Sequence, residues 1–356
     1  MTDGGTAPGT ATGTRPTPEG GPGTAGGGRV PGGRVGPLLA RASVPVDDVT
    51  GCTPLTGGSY NSLYAVDLAG GDRLVLKVPP PSDRPRLRYE AELLHGEAVF
   101  AERAAEVGVP APRLLRAEPE EGSGTEPYAV MTYCPGRPWS ELAEELEAAE
   151  RDRLRRELGA MVARLHAVPG PGFGYPAQRI APLSERWETA FGAMAAALLA
   201  DAERFRPWLP VPLGELRAVF AAAGPDLARA TGPALVHFDL WRGNVLLGGP
   251  AGSRRITGLI DGERMFWGDP LADFASLSLM DTPPEEDPAF LAGYREAGGR
   301  LEWDPCAARR TALYRAYLYL IMLVEVVPRG DSGEHLAFVR EFVAPRLTAQ
   351  LVAATR

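Results

Sequence analysis

The chain has 356 residues, 44% hydrophobic and 23% charged, a balance that excludes whole-chain disorder and suits one large bilobal body or two modest domains. Lys and Arg number 37 against 45 Asp and Glu, a formal net charge of -8, which argues against a general nucleic-acid or anionic-membrane surface. The 3 cysteines, Cys52, Cys134 and Cys306, stand far apart with no CxxC, so neither a disulfide scaffold nor a zinc site is expected, and a reducing compartment is the default.

Residues 1–42 are rich in Gly, Pro and Thr and hold almost nothing to bury; they read as a disordered tail. Met1 to Gly5 has no basic region and no apolar run after it, so no signal peptide is expected and the protein reads as cytoplasmic. Residues 43–133 carry short apolar runs, Leu63–Leu68 and Leu74–Val78, separated by Gly70–Gly71–Asp72, a hairpin signal. A helical pattern follows from Leu87 to Val107 and ends at Val109–Pro–Ala–Pro112. Glu118–Glu126 is an acidic, Gly-containing loop, and Tyr128–Tyr133 reads as another strand.

Beyond Cys134 the pattern turns mainly helical. Ser140–His166 reads as one helix, with Leu142, Leu146, Leu154, Leu158 and Val162 on a stripe. Further helices are expected near 188–203, 212–223, 288–297, 307–327 and 334–353, with short strands at Ala234–Val236 and Ile256–Ile260. The run Leu318–Val327 is too short to span a bilayer and contains Glu325, so it reads as a buried helix. The coarse picture is α+β: a small β-rich lobe over 43–133 and a larger helical lobe over 134–356.

The chemistry concentrates in two segments. In Leu235–Leu247 an apolar strand delivers His237 and Asp239, and a short loop leads to Asn244 and a second apolar strand. Phosphoryl transfer to a hydroxyl needs a carboxylate to orient the acceptor and take its proton, with oxygen ligands for Mg²⁺ nearby. Asp239 suits the first task and Asn244 the second, although a lone HxD is also a common loop-capping pattern. In Gly258–Ala275 another apolar strand ends in a carboxylate, Asp261, which supplies the second metal ligand. Asp269 and Asp273, in the following Gly–Asp–Pro turn, read as loop-tying residues. Lys77 lies inside an apolar strand, costly unless paired; the alternative is an edge lysine facing water.

Together these segments resemble the HxDxxxxN loop and the IDxE…GDPxxDLA stretch of the aminoglycoside phosphotransferase family. That resemblance implies a bilobal protein-kinase-like fold and an ATP- and Mg²⁺-dependent kinase acting on a small molecule. It implies a nucleotide-covering loop at Gly57, Gly58 and Ser59, although a Gly-Gly-Ser turn alone is also an ordinary hairpin. It implies that Lys77 reads the nucleotide phosphates, paired with Glu97 (Glu92 as second choice), and that Met131 and Tyr133 lie on the adenine-facing linker. Catalysis would fall to Asp239, and His237 would prop its loop.

The chain also departs from the family pattern. Phe238 stands where Gly is usual, an expected narrowing of the acceptor side. Arg242 is open between a phosphate or substrate contact and a solvated loop residue. The absence of DFG and APE argues against protein substrates. Asp281, Glu285, Glu286, Asp287 and Glu325 are the acidic candidates for an aminoglycoside-like, amine-bearing acceptor. A metabolic sugar, ketosamine or amino-alcohol kinase and a non-catalytic nucleotide-binding module are the alternatives. No nucleic-acid, membrane or protein partner is expected.

Overall fold

The structure is a computed structural model that describes residues 34–55, 60–118 and 126–356. The expected glycine loop at Gly57, Gly58 and Ser59, most of the expected acidic loop and residues 1–33 of the expected tail lie outside the described residues.

The expected tail stops short of residue 42. Val35–Arg41 forms helix α1, because Val35, Leu38 and Leu39 fall on one helical face and are buried. They pack on a five-stranded antiparallel sheet of β1 (Val49–Leu55), β2 (Ser62–Leu68), β3 (Arg73–Val78), β4 (Leu114–Glu118) and β5 (Tyr128–Thr132), in the order β1-β2-β3-β5-β4. The two-residue side-chain period of a strand sorts β3 cleanly. Leu74, Leu76 and Val78 join the cluster around α1, whereas Val75 and Lys77 point to the opposite face. There β3 neighbours Leu63 on one side and Ala129 on the other.

That second face receives α2 (Leu93–Glu106), entered through a 3-10 turn over Arg88–Glu92 rather than a helix beginning at Leu87. Leu94 packs under the sheet beside Ala129 and Met131, while Leu93, Phe100 and Ala104 join the core of the helical lobe. The helix is thus shared between the two lobes.

After β6 (Arg137–Pro138), the expected helix from Ser140 is split into α3 (Trp139–Leu142) and α4 (Ala148–His166). Leu146 between them is extended, with ψ 120°. The run Glu141, Glu144, Glu145, Glu147 places like charges three and four residues apart, which disfavours continuous helix there. The break also lets Leu142 and Leu146 both reach the core. Next come α5 (Trp187–Phe205), α6 (Leu213–Ala222), α7 (Gly224–Leu227), β7 (Ala234–Val236), β8 (Val245–Gly248), β9 (Arg255–Leu259) and β10 (Phe266–Gly268). The chain ends with α8 (Asp273–Leu277), α9 (Pro288–Glu296), α10 (Pro305–Arg329), α11 (Gly333–Phe338) and α12 (Ala344–Ala353), the last two joined by a π turn over Val339–Val343. Helix α10, capped by Asp304 and by left-handed Gly330, is long and apolar enough to cross a membrane; 83% of its most apolar window is buried inside the protein.

Two small antiparallel ladders set the loop that carries Asp239. β7 pairs with β10, and β8 pairs with both β6 and β9, so the ends of β7 and β9 and the start of β8 meet under the first lobe.

Candidate active site

The loop after β7 is held from below by Asp273, at the start of α8 and fully buried. Its carboxylate accepts from the amides of His237 at 3.2 Å and Phe238 at 2.7 Å, and contacts His166 Nε2 at 2.9 Å. Phe238 adopts φ +62°, a left-handed conformation unusual for a bulky side chain. Burial of its ring against Phe266 and Tyr317 and the Asp273 bonds offset that strain. The ring therefore points into the core, and the expected narrowing of the acceptor side is not seen. Asp269 caps the next turn at Leu271 and is tied to Arg310 and Tyr314, each at 2.7 Å.

His237 fixes the turn that presents Asp239. A carbonyl can only accept, so Nε2 carries the proton given to Ile260 O at 3.1 Å, and Nδ1 accepts the Asp239 amide at 3.2 Å. Asn244 donates from Nδ2 to the Asp239 carbonyl at 2.8 Å, which directs its amide oxygen, the atom able to ligate a cation, to other partners. The Asn244 carbonyl accepts from the Ile260 amide at 3.0 Å. The β9 end carrying Asp261 is thereby stitched to the Asp239 loop through both His237 and Asn244.

Asp261 itself is left-handed, φ 64°. The next residue must be small. A Cβ on Gly262 would overlap the Phe100 ring of α2, and one on Gly96 of α2 would overlap the Glu263 carbonyl. These two contacts seat α2 on the Asp261 turn and bring Glu97 to Lys77.

Lys77 is 2% exposed. Its ammonium binds Glu97, Asp261 Oδ1 at 2.6 Å and Glu263 Oε2 at 2.5 Å. Glu97 is thus the α2 carboxylate on Lys77, and of the Glu92 side chain nothing is described. Glu263 went unassigned in the sequence reading, although it is the Glu of the IDxE pattern. It also accepts from Asn61 Nδ2 at 2.8 Å, which ties the chain just before β2 to the turn after β9. Burial tends to lower the Lys77 pKa, but Asp261, Glu263 and Glu97 outweigh it and hold the group well above its usual value. Burial pushes Glu97 up, and pushes Glu263 up to about 8 despite the lysine. Burial would raise Asp261 as well; there the Lys77 charge and hydrogen bond win, and its pKa is lowered.

Carboxylate oxygens of Glu97, Asp261 and Glu263 lie within 4.8 Å of one another, but they converge on the Lys77 ammonium, so the trio reads as an ion-pair cluster. The residues nonetheless fit a hard divalent cation. Three carboxylates face one lysine, and Asp261, with its side chain 38% exposed, is the one that opens toward solvent. With the Asn244 amide oxygen it offers the oxygen donors that Mg²⁺ prefers.

Met131, expected on the linker, lies inside β5 instead, paired in the sheet with both Val75 and Leu114. The Tyr133 amide is given to the Arg73 carbonyl at 3.1 Å, so the Tyr133 carbonyl is the group it can offer a purine. Arg242 donates to Met280 O at 2.6 Å and pairs with Asp281 at 3.1 Å, a structural tie rather than a solvated residue. Four of the five acidic acceptor candidates are likewise engaged: Asp281 and Asp287 with Arg155, Glu285 with Arg315, and Glu325 with Arg264 and Arg329.

The profile of the phosphotransferase enzyme family matches residues 51–309. Acyl-CoA dehydrogenase family member 10 of Mus musculus is 25% identical over 245 residues, which covers 67% of this chain and 21% of that protein. This chain therefore corresponds to about a fifth of that relative's length. Among solved structures, a candidate fructosamine-3-kinase from Thermobifida fusca aligns with TM-score 0.62 and 20% identity over 90% of this chain and 100% of its own. The macrolide 2'-phosphotransferase MphH of Brachybacterium faecium gives 0.53 and 21%, covering 88% and 97%. The streptomycin–ATP–APH(2")-IIa ternary complex gives 0.56 and 16%, covering 90% and 99%. At these identities the likeness is one of fold.

Proposed function

This chain belongs to the phosphotransferase enzyme family, and on that premise we propose that it transfers the γ-phosphoryl group of ATP to a hydroxyl of a small molecule, with Asp239 as the base. One observation carries the reading: the Asp239 loop, Asn244 and the Asp261 turn are bonded to one another, and Asp261 is in turn bonded to Lys77. A non-catalytic nucleotide-binding module would be expected to have lost one of these four.

Asp239 accepts the acceptor's proton as the acceptor oxygen bonds to the γ-phosphorus and the bond to the β,γ-bridging oxygen breaks, leaving ADP. Lys77, set by Glu97, holds the nucleotide phosphates. Asn244 and Asp261 would hold Mg²⁺, which supplies charge neutralisation at the phosphate oxygens. The protein's own share is positioning and electrostatics rather than covalent chemistry.

The acidic candidates were the argument for an aminoglycoside-like polycation, and arginines already occupy four of them. A polycation would have to displace buried Arg155 and the largely covered Arg264, Arg315 and Arg329, a poor exchange. This favours the second reading, a sugar, ketosamine or amino alcohol as acceptor, over the amine-rich antibiotic. The test is incubation with Mg·ATP and a panel of aminoglycosides, macrolides, sugars, ketosamines and amino alcohols, with mass detection of a product heavier by one phosphoryl group. Phosphorylation within the sugar, ketosamine or amino-alcohol set is expected. A product only from aminoglycosides would reverse the acceptor preference, and none across the panel would overturn the kinase reading.

A further inference from the structure

Arg264 follows the Asp261–Gly262–Glu263 turn and has no part in the roles above. Its side chain is 13% exposed, and its Nε lies 3.8 Å from Asp239 Oδ2. Its Nη2 donates to Glu325 Oε2 at 3.0 Å, and its guanidinium lies 5.8 Å from the ring centre of buried Tyr89. Glu325 is itself held by Arg329 at 2.9 Å, and Arg329 reaches Glu90 at 2.6 Å. Glu90 accepts the Leu87 amide at 2.7 Å, ahead of α2. A planar guanidinium held by a carboxylate on one edge and an aromatic ring beside it has little freedom to turn. The bonds to His237 and Asn244 hold the backbone of Asp239; the carboxylate faces Arg264. At 3.8 Å the pair is longer than a hydrogen bond, so Arg264 acts on the carboxylate through charge rather than through a shared proton.

The geometry points to Arg264 as a positioning residue: a buried guanidinium, clamped by Glu325, that aims the Asp239 carboxylate at the acceptor hydroxyl. This rests on the reading of Asp239 as the base. Removing Arg264 alone would leave Glu325 with Arg329 as partner but unbalance the charge of this little-exposed cluster, so two gentler changes serve. Arg264→Lys keeps a cation but loses the fork that spans Glu325 and Asp239. The pair Arg264→Met with Glu325→Met removes both charges together and leaves Arg329 with Glu90.

The readout is steady-state ADP release from Mg·ATP with water as the acceptor. The double variant is expected to lose about ten- to a hundredfold in kcat, the scale of a small misplacement of a reacting group. The KM for ATP is expected to stay within twofold, and the lysine variant to fall between. A loss confined to the KM for ATP would mark a merely structural role, and a folded double variant with kcat within twofold of the parent would do the same; either overturns the inference. Asp239→Asn is run alongside. If it releases ADP at the parental rate, the base reading fails and this inference with it; if it is inactive while the Arg264 variants stay active, this inference fails alone.

Discussion

Replacing Lys77 by Met deletes the cation at the centre of the Glu97, Asp261 and Glu263 cluster while keeping the side chain's bulk. Asp261 can turn to solvent, whereas Glu97 and Glu263 are 5% and 7% exposed and must take up protons. Burial already pushes Glu263 up in the parent, so it adds less. The cost therefore falls on Glu97, whose ordinary value is 4.5. Each pH unit above that value is worth about 1.4 kcal/mol, so protonating it costs at most about 3.4 kcal/mol at pH 7 and about 1.4 kcal/mol at pH 5.5, less whatever burial already costs in the parent. The sign follows from linkage. An acid whose folded pKa lies above its unfolded value contributes stability at low pH and loses it as pH rises through the folded value. The deficit of Lys77→Met relative to the parent should thus shrink toward pH 5 and grow toward pH 8. Urea unfolding of both proteins at pH 5.5, 7 and 8 measures it, and adding Glu97→Gln should restore most of the loss. A deficit that is flat with pH, or below about 1 kcal/mol at pH 8, would refute the reasoning.

Gly262→Ala drives a methyl group into the Phe100 ring and should cost about 1–3 kcal/mol in urea unfolding, with a parallel loss of turnover as Glu97 is displaced. Gly70→Ala, with open space around it, should unfold like the parent. Asp273→Ala strands the amides of His237 and Phe238 and should lower stability by about 3 kcal/mol or more; a change under about 1 kcal/mol would deny it the anchoring role. Asp261→Asn should abolish the gain in ATP affinity that Mg²⁺ confers in calorimetric titration, and a preserved gain would remove Asp261 from the metal site.

What the sequence made legible was what local pattern carries. Alternation along Leu74–Val78 separates Lys77 from its apolar neighbours, and two apolar strands each end in a carboxylate, at Asp239 and Asp261. Glu97 follows from the family resemblance and not from local pattern. Glu263 and Arg264 were passed over because their partners are remote in sequence: Asn61 is 202 residues from Glu263, and Glu325 is 61 from Arg264. Nothing in the local pattern distinguishes a carboxylate bound for a buried lysine from an exposed one. The same holds for Asp281, Glu285 and Asp287, whose partners Arg155 and Arg315 lie on helices remote in sequence. The Ser140–His166 stripe was periodic enough to read as one helix, and the glutamate run that breaks it acts through charge rather than apolar spacing. Helix α1 escaped because its three apolar residues follow a long Gly- and Pro-rich stretch.

The most direct test of the account is Asp239→Asn assayed for phosphoryl transfer from Mg·ATP to the acceptor that the panel identifies, beside calorimetric ATP binding. The account predicts a fall in kcat of about 10²- to 10⁴-fold with ATP affinity essentially unchanged. A variant that phosphorylates the acceptor at the parental rate would contradict it.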